Sequence, residues 1–162
     1  MVAITFKSVG ELISAKKYTE KVVNTKPLGI RTPLRFGSSN DGIFSMHFES
    51  KNQIRDNLRN LLLTNKGERL VLPDFGGNLL PLVFEMSTVD SKEDFDNKIM
   101  INISEAAAKY MPFLQLQSFE SEKFPDSFEN SGQPKVKLRL VYDIPDLKVT
   151  DQALEMILYV GG

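Results

Sequence analysis

The chain has 162 residues, of which 41% are hydrophobic and 25% charged, with a formal net charge of −1. That length buries roughly 70% of the unfolded surface, enough for one self-sufficient domain, and the near-neutral balance gives no field for gathering nucleic acid or anionic lipid. With no cysteine and a single histidine, His47, disulfides, thiolate metal sites and a His-based zinc site within one chain are excluded, and no cofactor is expected.

Residues 1 to about 28 lack sustained periodicity and read as an N-terminal arm or extension, leaving 29–162 as a single domain. The opening MVAITFKSVGELISAKK has no apolar core of a signal peptide, and no apolar run approaches the ~20 residues of a membrane span. GIRTPLRFGSSNDGIFSMHFES then reads as a hairpin, with β-prone runs Leu34–Phe36 and Ile43–Phe48 flanking a loop that ends in Asp41-Gly42. Alternation puts Phe44, Met46 and Phe48 on one face and His47 on the other, more polar one.

From Ser50, a candidate N-cap, to Asn65 the spacing predicts a helix with Ile54, Leu58, Leu61 and Leu62 on one stripe. Arg55, Asp56, Arg59 and Asn60 lie off that stripe. Gly67 is placed to turn left-handed and end it. Leu70 to Leu72 read as a short extended piece leading to Pro73. A short helix with Leu79, Leu80, Val83 and Phe84 follows Asp74–Asn78, and Pro81 is tolerated in its first turn.

Ser87 to Asp90 offer caps for a long helix carrying Phe95, Ile99, Ile103, Ala106 and Tyr110, with Pro112 ending it. Three strands close the chain. In FLQLQSFE, Leu114 and Leu116 face one way, and Phe113, Gln115, Gln117 and Phe119 the other. SEKFPDSFENSGQP is a polar loop. KVKLRLVYDIP alternates with Val136, Leu138, Leu140 and Tyr142 inward, and after a turn at Pro145-Asp146 the last strand alternates Leu154, Met156, Leu158 and Val160 with Glu155, Ile157 and Tyr159. Segregated strands and helices point to an α+β fold: a mostly antiparallel sheet, from the N-terminal hairpin and the C-terminal strands, packed against two main helices and one short helix.

Chemistry concentrates in TNKGERLVLPDFGG. Its Asp74-Phe75-Gly76 matches a kinase tripeptide, but the Gly-rich loop, the strand lysine and the catalytic loop of a kinase are missing, as is any P-loop. Glu68 and Asp74, with Glu85 beyond, supply the two carboxylates a glycosidase needs, without the aromatic cluster of a sugar cleft. The plainer reading makes them helix-end and capping carboxylates, with Glu68 and Arg69 satisfying loose main-chain groups or bridging to a neighbour. No catalytic residue is assigned. Asn102-Ile103-Ser104 matches a glycosylation sequon by chance in a helical setting.

Taken together, Leu63-Thr64, Gly67-Glu68-Arg69, Pro73-Asp74-Phe75-Gly76, Leu79 and Phe84-Glu85 resemble the phage baseplate wedge family that initiates the contractile tail sheath, and its type VI secretion counterpart. The resemblance covers roughly 29–160. It implies a structural protein that docks on a helical bundle of larger wedge subunits and offers a β edge to the tail sheath protein, with tail tube or hub proteins as further candidate partners. It also implies sixfold copy number and a place in the virion, at the phage tail baseplate assembled in the host cytoplasm. Phage tail, type VI apparatus and phage-derived injection particle fit the residues alike. By the same resemblance Thr64, Gly67, Glu68, Arg69, Pro73, Asp74, Phe75 and Gly76 form the motif. Met111-Pro112-Phe113 stands where the family often has Glu-Pro-Arg for contact with the wedge bundle, so an apolar contact replaces an ionic one. Leu154, Glu155, Met156, Ile157, Leu158, Tyr159 and Val160 form the strand that would template the sheath. A lysozyme-like peptidoglycan-cleaving enzyme is the alternative.

Overall fold

Apolar stripes of helical period become helices, and alternating runs become strands. The computed structural model describes residues 26–37, 42–85, 92–124 and 135–159. In chain order the elements are β1 (Gly29–Ile30), β2 (Met46–His47), α1 (Ser50–Leu63), α2 (Leu79–Glu85), α3 (Lys92–Tyr110), β3 (Gln115–Phe124), β4 (Lys135–Ile144), a 3-10 turn at Pro145–Leu147, and β5 (Val149–Tyr159). The fold is α+β, with one two-stranded and one three-stranded antiparallel sheet. The expected arm up to residue 25, the caps at Ser87–Asp90, most of the loop before β4 and Val160 lie outside the described residues. The chain divides into two compact units, Met1–Gln53 and Ile54–Gly162.

In the first unit β1 pairs with β2. The expected first strand, Leu34–Phe36, makes only a single bridge, Phe36 to Phe44. The N–H of Arg31 donates to the Ser45 carbonyl at 2.9 Å and the N–H of Ser45 to the Arg35 carbonyl at 3.0 Å, so Thr32–Leu34 bow out of the ladder around the cis Thr32-Pro33 bond. Proline has no N–H for the ladder, which displaces the pairing toward Gly29. Burial in the second run also departs from expectation: His47 is buried, whereas Ile43, Phe44 and Phe48 are exposed. Alternation gives the period of a strand but not which face turns inward. At the start of α1 the flanking position belongs to Glu49 rather than Ser50. The Glu49 carbonyl accepts from Asn52 and Gln53, and its carboxylate from the Asn52 side chain at 3.0 Å.

In the second unit three helices cover one face of the sheet β3-β4-β5. The core joins Leu58, Leu61 and Leu62 of α1, Leu79 and Val83 of α2, and Phe95, Ile99, Ile103 and Ala106 of α3 to the inward row of β4, Val136 to Ile144. Leu154, Met156 and Leu158 of β5 complete it. Asp56 is buried despite lying off the apolar stripe. It stands near Tyr142, whose hydroxyl pKa is raised, chiefly by burial. β3 runs to Phe124, through residues read as loop. A register shift between Leu116 and Ser118 returns Phe119 to the core side with Leu116, correcting the simple alternation, and brings Ser121 inward to hydrogen-bond Asp96.

Two glycines differ in what they spare. Gly76 has φ +132 and a Cβ there would collide with the Thr64 carbonyl, whereas Gly67 has φ +90 and open space around it. Gly76→Ala is therefore expected to cost about 2–3 kcal/mol and Gly67→Ala about 1 kcal/mol in urea unfolding. Equal costs would show that close approach at Gly76 does not matter.

Candidate functional site

The motif stretch folds back onto the end of α1. A helix leaves its last carbonyls without partners. Here the Thr64 hydroxyl donates to the Asn60 carbonyl at 2.6 Å, the Gly77 N–H to the Leu61 carbonyl at 2.9 Å and the Asn78 N–H to the Thr64 carbonyl at 3.5 Å. The main chain of the glycine pair thus closes the helix, which needs Gly76 against Thr64 and Gly77 against Leu62. Between these contacts the chain makes a loop, not the extended piece expected from Leu70–Leu72. The Gly67 N–H closes it by donating to the Pro73 carbonyl at 2.6 Å. Leu70 and Val71 stand at its tip, almost fully in solvent.

The charges have structural partners. The Glu68 carboxylate accepts from the Asn65 N–H at 3.0 Å and from the Asn65 side chain at 2.7 Å. The main-chain bond, then the side-chain bond, lowers its pKa. A general acid of a glycosidase needs the opposite shift. Asp74 pairs with Lys109 at 3.4 Å, and Lys109 is held in its charged form first by Tyr110 and more weakly by Asp74. The Arg69 guanidinium lies 3.8 Å from the centre of the Phe75 ring, and Phe75 meets Tyr110 edge-on at 5.0 Å. This Arg-Phe-Tyr stack ties the loop to the end of α3.

One groove, of about 310 Å³, unites two predicted regions. Arg69 and Phe75 of the motif line it with Met111 and Phe113 of the triplet, and Asn57, Asn60, Leu61 and Tyr110 complete the wall. Met111 is largely spent in the core, so Phe113 is the more available apolar member. Lys109, Tyr110 and Asn65 were not singled out as site residues. A lysine and an aromatic in the last helical turn before Met111-Pro112 are the available signal.

β5 occupies an edge of the three-stranded sheet, pairing with β4 among the described residues. Leu154, Met156 and Leu158 point inward, while Glu155, Ile157 and Tyr159 are exposed as expected. Arg59 of α1 donates to the Glu155 carbonyl at 3.2 Å. A carbonyl aimed at β4 would lie in the roughly 4.8 Å gap between strands, out of reach of a guanidinium. The main-chain groups of Glu155 and, two residues on, of Ile157 therefore face the open side. Nothing in the sequence announces Arg59, because its partner is main chain 96 positions away.

The sequence matches the family of baseplate wedge protein gp25 over residues 49–145, more than half of the chain and the whole span from the start of α1 to the end of β4. The chain belongs to this baseplate wedge family, a family of contractile injection systems. No curated protein matches the sequence. Among solved structures, a chain of the anti-feeding prophage baseplate is 17% identical with a TM-score of 0.50, covering 82% of this chain and 84% of that one; it shares the fold. A Geobacter sulfurreducens protein described as a candidate tail lysozyme is 19% identical with a TM-score of 0.49, covering 70% and 94%. A chain of the type VI secretion system baseplate complex is 18% identical with a TM-score of 0.40, covering 68% and 93%. Those two likenesses are too loose to argue from. The family match begins at Glu49 and ends at Pro145, so it includes the motif and groove but neither the hairpin nor β5.

The lowered Glu68 pKa has a consequence for this wedge protein. Its contribution to stability is present above the unfolded value of 4.5 and is lost as pH falls through the lower folded value. Glu68→Gln should remove part of the acid-side decline in the urea midpoint, measured from neutral pH to below 4.5. An unchanged decline would mean that the carboxylate does not cap this turn.

Proposed function

We propose that this wedge protein is structural rather than enzymatic, that it joins a helical bundle of larger wedge subunits to the first sheath ring, and that β5 templates the sheath. The observation that carries the reading is the place of β5: an 11-residue strand at the edge of its sheet. Proteins normally blunt such an edge because its unpaired main-chain groups recruit other strands. An edge used for assembly keeps those groups and anchors the strand from behind. The buried Leu154, Met156 and Leu158 supply that anchor. Strand addition then supplies affinity through main-chain hydrogen bonds and specificity through alternate side chains, and on β5 Ile157 and Tyr159 are exposed at alternate positions.

The groove lined by Arg69, Phe75 and Phe113 is the proposed seat of the wedge bundle. Arginine and aromatic side chains around a concavity make effective binding anchors. Tail tube or hub proteins are further candidate partners. Sixfold copy number agrees with the six-fold symmetrised baseplate of the anti-feeding prophage. The phage virion, after assembly in the host cytoplasm, remains the proposed location. Against an enzymatic role, Glu68 and Asp74 are engaged in a turn and an ion pair rather than set up as acid and base.

Removing β5 altogether would also remove core residues, so the test must spare them. Ile157→Pro deletes one open-side N–H and leaves the inward row intact. The variant is expected to fold and to co-purify with wedge subunits, while sheath assembly followed by electron microscopy fails to start. Sheath of normal length on the variant would exclude β5 as the template.

A further inference from the structure

Side chains lock the main chain of β5 at three places between Thr150 and Glu155. The Gln152 side chain turns back onto the Thr150 carbonyl at 3.0 Å. The N–H of Asp151, a residue with φ +55, donates to the Asp143 carboxylate at 2.8 Å. Arg59 covers the Glu155 carbonyl at 3.2 Å. Glu155 is itself pinned on the exposed sheet face by Lys137 at 3.1 Å and Arg139 at 3.9 Å.

Of these locks Arg59 is the one that reaches the strand from a helix rather than from within the sheet. Its position matters because open-side groups recur at every second residue. A strand pairing along the length of β5 needs the Glu155 carbonyl. So does a second copy of β5 laid antiparallel against the first over the described strand, of which only residues 156–159 lie beyond Glu155.

We propose that Arg59 guards this edge: its guanidinium occupies the Glu155 carbonyl, so that no strand pairs along β5 past Ile157 toward the hairpin end until Arg59 is displaced. In the free protein it prevents two copies of the chain from pairing edge to edge. This rests on the reading of β5 as the templating strand, since an edge reserved for one partner must be closed to its own copies. The guard also sets the register in which a partner strand first enters, at Ile157.

Arg59→Met keeps the aliphatic stem and removes the donor. Sedimentation velocity of the full chain is expected to show about ten-fold tighter self-association than in the wild type, roughly the contribution of one charged hydrogen bond. Adding Ile157→Pro should reverse the gain. Arg139→Met removes an equal charge beside the Glu155 carboxylate, leaves the carbonyl covered, and should sediment as the wild type. Should circular dichroism show Arg59→Met unfolded, Arg59→Gln, which is polar but too short to reach the carbonyl, takes its place with the same expectation. A folded Arg59 variant that associates no more than the wild type overturns the guard, as does a gain shared equally by Arg139→Met. No sheath protein enters these measurements, so the guard stands or fails separately from templating.

Discussion

The structure depends on how the end of α1 is closed. The Leu61 and Thr64 carbonyls take their hydrogen bonds from the main chain of Gly77 and Asn78, which is possible only because Gly76 carries no Cβ against Thr64. That closure returns the chain to the helix it has just left. It fixes where α2 begins, seats Leu79 in the core, and holds Phe75 where Arg69 and Tyr110 meet it from two sides. The residues that resemble a catalytic tripeptide are thus engaged in making a helix end and one wall of a groove.

From this closure the rest of the second unit follows in layers. The helices bury their stripes on one face of a three-stranded sheet, and the central strand β4 contributes an unbroken buried row from Val136 to Ile144. β5 is held from behind by three of its own side chains and, among the described residues, pairs with a strand on one side only, with a helix side chain reaching its main chain at Glu155. An anchored edge covered from a helix differs from an ordinary edge, whose defence is usually built into its own sequence as charge or proline.

Period and punctuation were legible in the sequence. The α1 stripe, the short α2 after the glycines and the alternation of β4 and β5 all followed from apolar spacing, and Gly67 has the positive φ expected of it, although it closes the loop onto Pro73 while Gly77 and Asn78 close the helix. Other features were not legible, each for a physical reason. Alternation does not say which side of a strand is buried, and in the run around β2 His47 rather than Phe44 or Phe48 turns inward. The bulge that returns Phe119 to the core depends on pairing with β4, not on local pattern. The groove unites residues from 57 to 113, and Arg59 binds a carbonyl, which carries no sequence signal. The motif residues themselves were recognised, but their partners Lys109 and Tyr110 belong to another helix.

The central claim is that the open side of β5 receives a strand of the sheath subunit. Residue-resolved amide hydrogen exchange of the wedge protein, alone and with sheath subunits bound, tests this most directly. The account predicts that the Ile157 amide, directed to the open side, slows sharply on sheath binding, while amides already bonded to β4 change little. Binding that protects other surfaces and leaves Ile157 exchanging as in the free protein would contradict it.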